Sequence, residues 1–310
     1  MANNVNAFVP EFYSQKLLKE SKEMTDFKNN MTNSEWEGEI KSAGDTVHIS
    51  TPDLSMITIG EGVVPETNNV YPKQISLTID KSRSFQFKFN DIEQAQSQFN
   101  MLDGYMSASN EKMMIEVNKE LELAVLNDGD VPAVGTHASP KNVTTASINT
   151  FFNKIKRTLM GNKALSPAGF YTFKGNKEQS LQLAPVITMG AGLFEELVNS
   201  TTLTHPTAQG DDILYKGVVG QIAGMKIFVD TLLDGITSDE CANHYANEAG
   251  REFIVIAGTK MGITFAEQYN KVEKLRDPQT FADIGRALYL YGYKITNPKS
   301  LVKGTVKVGE

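Results

Sequence analysis

The chain has 310 residues, of which 40% are hydrophobic and 22% are charged. These proportions are typical of a globular protein and exclude a disordered, collagen-like or disulfide-stapled chain. The formal net charge of -7 disfavours a protein whose main task is to bind nucleic-acid phosphates, because that affinity comes from clustered Lys and Arg side chains.

The cysteine count, the opening residues and the apolar runs indicate the compartment of the protein. A single cysteine, Cys241, excludes an intramolecular disulfide and is typical of a reducing compartment. The opening MANNVNAFVPEFYSQ lacks the basic start and apolar run of a signal peptide. No apolar run approaches the ~18 residues that a membrane-spanning helix needs. We therefore expect a soluble intracellular product with no membrane partner.

The first third of the chain predicts an arm followed by an extended excursion. Residues 1–36 hold one short amphipathic segment in polar sequence, which predicts an arm lying on something else. Short β-type runs follow: TVHIS, MITIG, QISLTID and SFQFKFN. In the last run, Phe85, Phe87 and Phe89 alternate with polar residues, as in a half-buried strand. The excursion has few large apolar residues outside its strands, so we expect it to need a neighbouring surface.

The strongest helical signal comes next. Asn90 followed by Glu93 makes a capping-box-like start, and NDGD closes the apolar periodicity at Gly129. A continuous helix of about 35 residues would be ~50 Å long, more than one globular core requires. We expect Gly104 to be its weak point or bend.

The remainder is predicted to be mixed α/β. The expected elements are a helix at 147–160, a strand in APVITMG, a helix in AGLFEELVNS, a hairpin in YKGVVGQIAGMKIFVDT and a strand in REFIVIAG. In the tail, FADIGRALYLYGYKI predicts a long strand with one aromatic face.

A search for catalytic or metal-binding residues finds none. The histidines are isolated and no H-x-x-x-H or C-x-x-C occurs, so Cys241 and His244 lack a supporting motif. MGAGLFEE has the context of a dinucleotide fingerprint, but Glu195 stands at the third glycine position. GVVGQIAG lacks the Lys-Ser/Thr ending of a P-loop. We expect no catalytic residue, no cofactor and no metal.

Six segments, in this order, resemble the major capsid (coat) proteins of tailed bacteriophages. They are FVPEFYSQKLL, Trp36–Lys41, GDTVHI, SLTIDKSRSFQFKFNDIEQAQ, GVVGQIAGMKIFVDT and VEKLRDPQTFADIGRALYLYGYKI. The resemblance covers nearly the whole chain. It implies an α+β protein with the tailed-phage major capsid fold, which has an N-terminal arm, an extended E-loop, a peripheral domain with a long spine helix, and an axial α/β domain.

The resemblance also implies a division of the chain. The parts are an arm at 1–30, an E-loop at 46–88, a peripheral domain at 31–45, 89–127 and 266–310 with the spine helix at 91–127, and an axial domain at 128–265. The E-loop would lie on a neighbouring subunit, and the spine helix would brace the shell wall.

The function implied by the resemblance is assembly rather than catalysis. Copies would associate through hexamers and pentamers into an icosahedral shell enclosing packaged double-stranded DNA. The implied partners are the chain itself, a portal, decoration proteins and, by non-specific proximity, the DNA. Some relatives begin with a scaffolding segment whereas this chain begins with the arm, so we expect a separate scaffolding protein. The product would be a virion component assembled in the cytoplasm of a bacterial host.

Intersubunit contacts are expected around the E-loop and the segment that leads into it. In EGEIKSAGDTVHIS, Gly38 and Gly44 would let the chain turn, and His48 would be an ordinary strand side chain. The expected contact residues are Glu37, Glu39, Asp45, Val63, Val64, Tyr71, Lys73, Lys81 and Arg83.

Two alternatives remain open at this point. One is an encapsulin-like nanocompartment shell, which shares the fold. The other is an α/β enzyme that uses the Gly-rich loops at 190–192 and 217–224 with Asp211 or Asp212. The enzyme would leave the long helix and the unsupported excursion unexplained.

Overall fold

The computed structural model describes residues 25–34, 46–51, 61, 73–90, 101–144, 147–162, 164, 185–199, 221–247 and 249–309. The α-helices in these ranges are α1 (Phe27–Met31), α2 (Met101–Asn127), α3 (Ile148–Gly161) and α4 (Ala191–Asn199). The strands up to the middle of the chain are β1 (Thr32–Asn33), β2 (Thr46–Thr51), β3 (Lys73–Thr78), β4 (Lys81–Asn90), β5 (Ala133–Val134) and β6 (Lys141–Val143). The later strands are β7 (Val186–Met189), β8 (Gln221–Ile222), β9 (Met225–Val229), β10 (Glu252–Gly258), β11 (Ile263–Arg276), β12 (Ala282–Ile295) and β13 (Leu301–Val308).

The chain divides into two compact units. Among the described residues, the smaller unit consists of residues from Ser82–Met114 and Tyr269–Tyr289. The larger unit takes its residues from Glu23–Lys81, Ile115–Gln268 and Leu290–Glu310.

The core of the larger unit surrounds a mixed sheet with the strand order β5-β13-β10-β7-β9-β8, in which β6 also pairs with β13. Every residue of β10 is buried, as expected of a strand covered on both faces. Strand β10 is antiparallel to both β13 and β7, and β7 is parallel to β9. The buried side chains of helix α3 in this core are Ile148, Phe151, Phe152, Ile155 and Leu159.

Strand β13 was not expected from the sequence, which grouped it with the tail from residue 266 onward. The strand pairs with β10 along its whole length, from Leu301 opposite Gly258 to Lys307 opposite Glu252. Its one buried cation, Lys303, is 6% exposed. The Lys303 ammonium donates to the carbonyl oxygens of Leu126 at 2.8 Å and Asp128 at 2.6 Å. The cation therefore satisfies carbonyl groups at the C-terminal end of α2 that have no partner within the helix.

Helix α2 confirms the strongest helical prediction within the described residues. The helix continues through Gly104 and ends at Asn127. The predicted start, at 91–100, lies outside the described residues. Near its C-terminal end, Val117 and Leu121 of the predicted apolar series are fully buried. The next fully buried residue is Val125, whereas the predicted Ala124 is half-buried.

In the smaller unit, an aromatic row on β4 packs on helix α2. Phe85, Phe87 and Phe89 are half-buried, whereas Gln86 and Lys88 between them are exposed, so the predicted alternation is confirmed. The rings of Phe87 and Phe89 meet edge to face at 5.6 Å. The ring of Tyr105 from α2 lies 4.9 Å from that of Phe89. Strand β4 is the edge of a sheet with the order β1-β11-β12-β4.

The predicted strands of the excursion form a hairpin in the larger unit. Strands β2 and β3 pair antiparallel, with His48 opposite Ser76 and Thr51 opposite Lys73. The predicted run MITIG lies outside the described residues. Leu77 and Ile79, at the end of the hairpin, are 0% and 2% exposed, so this end is packed on the rest of the unit.

Gly292 on β12 permits this packing. A side chain at Gly292 would collide with the carbonyl oxygen of Thr78 and would lie 3.0 Å from the Cα of Ile79. Because the obstacle is backbone, it cannot rotate away. We expect Gly292→Ala to lower the free energy of unfolding by about 2 kcal/mol through overpacking, as measured by urea denaturation.

Gly161→Ala is the matched control, since a Cβ there would meet nothing within 4 Å. In the last turn of a helix, alanine should leave stability unchanged or raise it slightly. Equal stability of the two variants would show that the hairpin end does not depend on the close approach at Gly292.

Candidate functional site

The expected intersubunit residues fall into two groups. Six of them, Glu37, Glu39, Asp45, Val63, Val64 and Tyr71, lie outside the described residues. Lys73 begins β3 opposite Thr51. Lys81 and Arg83 are half-buried on β4. The role of all nine in contacts between subunits stays a prediction.

Lys81, the first residue of β4, takes part in a polar cluster with α2 and β12. Its ammonium forms an ion pair with Glu120 of α2 and lies 4.7 Å from the centre of the Tyr293 ring on β12. Glu120 also accepts hydrogen bonds from the hydroxyl groups of Tyr291 and Tyr293. One carboxylate thus joins the start of β4, the long helix and the aromatic face of β12.

The charges of this cluster stabilise one another. Burial alone would lower the pKa of Lys81, but the hydrogen bonds and charges of Glu120 and Tyr293 outweigh it and raise the pKa to about 12. Burial raises the pKa of the Tyr293 hydroxyl. The Lys81 side chain is still 35% exposed, so solvent screens the ion pair. The cluster is therefore built to hold the start of β4 in place rather than to transfer protons.

Removing the Glu120 charge should weaken this anchor. We expect Glu120→Gln to destabilise the chain by about 1 kcal/mol, and Glu120→Ala by about 2 kcal/mol because the buried Tyr291 hydroxyl would lose its acceptor. Denaturant titration measures both values.

Glu273→Gln serves as the control, because its ion pair with Arg286 is 31% and 50% exposed on the two sides. We expect that change to cost less than about 0.5 kcal/mol. A cost as large as that of Glu120→Gln would contradict the anchoring role of Glu120.

At the Gly-rich loop that resembled a dinucleotide fingerprint, protein side chains occupy the space that a ligand would need. Helix α4 starts at Ala191, and the Gly192 amide donates to the Asp234 carboxylate at 3.2 Å. A Cβ at Gly190 would collide with the same carboxylate, and one at Gly192 would lie 2.5 Å from the Phe253 ring. A carboxylate already lies at the helix end where a pyrophosphate would bind, so these glycines permit close packing.

The second Gly-rich stretch forms the predicted hairpin where it is described. Strands β8 and β9 pair antiparallel, and Ala223 and Gly224 between them have φ values of 51° and 79°. Such a tight turn needs left-handed residues, which explains the glycine. Residues 217–220, Asp211 and Asp212 lie outside the described residues.

The Cys241 and His244 pair is a packing feature. The two residues are 2% and 1% exposed, and the His244 Nδ1 lies 2.9 Å from the Thr305 hydroxyl. Burial, and then the Lys303 charge, lower the pKa of His244 to about 4. His244 is therefore neutral at physiological pH and inaccessible to a substrate in solution.

The buried His244 should make the fold acid-sensitive. Its folded-state pKa lies below the unfolded value of 6.5, so the unfolded chain takes up a proton first as pH falls. The stabilisation that the neutral His244 gives to the fold is complete above about pH 6.5. About 3 kcal/mol of it should be lost as the pH falls toward 4. We expect His244→Asn to remove this part of the pH dependence in urea titrations at pH 4 to 7. His48→Asn, at an exposed position of β2, is the control, and the same flattening in both variants would contradict the assignment.

An exposed aromatic residue was not predicted from the sequence. Phe281 is 83% exposed at the end of the β11–β12 hairpin in the smaller unit. Asp277 holds the turn: its carboxylate accepts from the Gln279 amide at 2.9 Å and from the Thr280 hydroxyl at 2.6 Å. Lys88 forms an ion pair with the same carboxylate and, together with these bonds, lowers the pKa of Asp277. The sequence feature that could have indicated this exposed residue is a phenylalanine in the polar turn sequence DPQTF.

Two other kinds of site find no support in the described part of the chain. No group of three or more His, Cys, Asp and Glu side chains there is arranged to hold a metal ion. Within the same ranges, no helix is both long enough and apolar enough to cross a membrane.

Comparisons with known proteins identify the fold. No protein-family model matches the chain, and no curated protein matches its sequence. A solved structure titled for Mycobacterium phage Che8 is similar with a TM-score of 0.68 and 20% identity, covering 96% of this chain and 97% of that one. The capsid structure of cyanophage P-SCSP1u has a TM-score of 0.69 and 13% identity over 100% and 97% of the two chains. The capsid of Ralstonia phage GP4 has a TM-score of 0.66 and 10% identity over 98% and 96%.

The fold is therefore that of phage capsid proteins. The expected α+β class and the resemblance to the tailed-phage major capsid fold are confirmed at the level of the fold.

Proposed function

We propose that this chain is the major capsid protein of a tailed phage, the subunit whose copies form the shell around packaged double-stranded DNA. The observation that carries the proposal is the similarity to phage capsid structures over 96% or more of this chain and of the three compared chains. A likeness of that extent leaves little of the chain for a separate active site. The titles of the compared capsid structures favour a virus shell over a nanocompartment.

Assembly would proceed through hexamers and pentamers into an icosahedral shell. Each contact between subunits can be weak, because every subunit makes many contacts and their effects multiply. The portal, decoration proteins and a separate scaffolding protein belong to the same proposal. The filled N-terminus of α4 supports a non-enzymatic role, since Asp234 already occupies the most suggestive ligand loop.

Two features of the described residues fit this role. The chain that leaves the β2–β3 hairpin is held at Lys81, the first residue of β4, by the Glu120 cluster, which suits a hairpin that reaches toward a neighbouring subunit. Phe281 is a large apolar side chain displayed on a turn that Asp277 makes rigid. An ordered, exposed aromatic side chain is the kind of residue that anchors protein contacts. We assign Phe281 to a contact with a second copy of this chain.

Expression of the chain alone and with candidate scaffolding proteins tests the proposal. Negative-stain microscopy and size-exclusion chromatography should detect closed shells. Only monomers or dimers under every condition would contradict the proposed function.

Phe281→Ser tests the contact. The side chain has few neighbours to lose, so we expect stability to change by less than about 0.5 kcal/mol. The loss of one anchor, worth roughly 2 kcal/mol per contact, should raise the concentration needed for assembly at least tenfold, as measured by light scattering. Met160→Gln, which alters another exposed side chain at 51% exposure on α3, should assemble like the wild type. Wild-type assembly of Phe281→Ser would exclude this contact.

A further inference from the structure

Two carboxyl groups meet in the interior of the larger unit. Glu122 lies on α2 and is 0% exposed, and Asp230 directly follows β9 and is 1% exposed. The two side chains lie within hydrogen-bonding reach of each other. If both were ionised, they would repel each other where little water is present to screen or solvate their charges. The fold therefore favours a state in which one of the two groups is neutral.

The hydrogen bonds around the pair indicate which group keeps its charge. Asp230 accepts from the Thr25 hydroxyl at 2.7 Å and from the Leu232 amide at 3.1 Å, and both bonds stabilise an ionised carboxylate. Neither oxygen of Glu122 receives a hydrogen bond from a donor among the described residues. A buried carboxyl group without donors is most stable with its own proton, which it can then donate to a neighbouring acceptor. For Glu122, that acceptor is Asp230.

The charges close to Glu122 favour the neutral form as well. Burial, and then the charge of Asp230 and the hydrogen bond to it, raise the pKa of Glu122 well above its usual range. Lys119, one turn earlier on α2, acts in the opposite direction. The Lys119 ammonium is paired with Glu240 at 2.6 Å, so its attraction for Glu122 is outweighed.

The segment that enters α1 brings one acid and one base to the same region. Its backbone is joined to α2 by a bond of 3.0 Å from the Lys28 amide to Asn118, one turn before Glu122. The Lys28 ammonium forms an ion pair with Glu267. Neither Lys28 nor Asp26 contributes to the shift in the pKa of Glu122. The protonation of Glu122 is therefore governed by its burial and by the acid at the end of β9.

We propose that Glu122 and Asp230 form a proton-dependent latch, in which the neutral Glu122 carboxyl group donates a hydrogen bond to the Asp230 carboxylate. The bond connects α2 to the end of β9. Because Asp230 also accepts from Thr25, the connection extends to the segment that enters α1. Loss of the proton would leave two buried negative charges side by side, so an attractive contact would become a repulsive one. The three residues are far apart in the sequence, so no local motif could have predicted the latch.

The latch gives the fold a pH dependence opposite in sign to that of His244. The folded-state pKa of Glu122 lies above the unfolded value of 4.5, so the unfolded chain releases this proton first as the pH rises. The stabilisation is complete below about pH 4.5 and decreases as the pH rises toward the folded-state pKa. Within that window the unfolding equilibrium constant should increase about tenfold for each pH unit through this group.

Urea denaturation of the full-length unassembled chain from about pH 5 to 9 tests the latch. Glu122→Gln keeps the size of the side chain, and its amide can donate to Asp230 at every pH. Below the folded-state pKa of Glu122, we expect the unfolding constant of this variant to fall about tenfold per pH unit relative to the wild type. Glu122→Met fills the same space without a donor, so it should be less stable than Glu122→Gln throughout. Glu195→Gln, at an exposed position of α4, is the control.

Infrared spectroscopy of the folded chain is a second measurement. A protonated carboxyl group has a C=O stretching band that is separate from the carboxylate bands. The wild type should show this band at neutral pH and lose it as the pH is raised. Glu122→Gln and Glu122→Met should lack the band at neutral pH, whereas Glu195→Gln should retain it.

Four results would overturn the latch. The first is a stability of Glu122→Gln relative to the wild type that does not change with pH, and the second is the same trend in Glu195→Gln. The third is equal stability of Glu122→Gln and Glu122→Met, which would exclude the hydrogen bond to Asp230. The fourth is a wild-type spectrum at neutral pH without a protonated carboxyl band, and this result decides even if neither Glu122 variant folds. No measurement requires assembly, so a chain that forms no shells would leave the result intact.

Discussion

The larger unit depends on the contact between the end of the long helix and strand β13 of its sheet. Lys303 lies on β13, next to β10, and its ammonium donates to the carbonyl oxygens of Leu126 and Asp128. Burial lowers the pKa of Lys303, so the position is tolerable only because those carbonyl groups receive the charge. The same bonds satisfy helix-end acceptors that would otherwise be buried without partners. The helix end therefore needs the Lys303 ammonium as a hydrogen-bond donor, and the buried ammonium needs the carbonyl oxygens as acceptors.

Polar groups in this protein serve mainly to join its elements. Asp234 fills the N-terminus of α4, Glu120 joins α2 to β4 and β12, and Asp277 orders the turn that displays Phe281. Glu120 and Asp277 each accept two hydrogen bonds and pair with a lysine, which is the arrangement of a structural rather than a reacting group. A shell subunit needs such rigidity, because small errors in the angle between contacts would prevent closure.

The secondary structure was largely accessible from periodicity. The spacing of apolar residues predicted α2, α3 and α4, and the alternation at Phe85 to Phe89 predicted β4, because these patterns record which side of an element faces the core. Strand β13 was not predicted from the sequence. Its sequence LVKGTVKV contains a glycine and two lysines, yet its first six residues are all buried. Only the partner carbonyls of α2 make the first lysine acceptable there.

Some features of the protein could be predicted from the sequence, and others depended on the tertiary structure. The sequence by itself determined the long helix, the hairpins and the absence of a local catalytic motif, since these follow from patterns within short windows. The fold class came from the resemblance of six segments to tailed-phage coat proteins. The tertiary structure alone decided that Glu120 accepts from residues about 170 positions away, that Phe281 is exposed, and that Glu122 meets Asp230 in the interior. Those facts depend on which distant segments meet, and no local pattern of residue types carries that information.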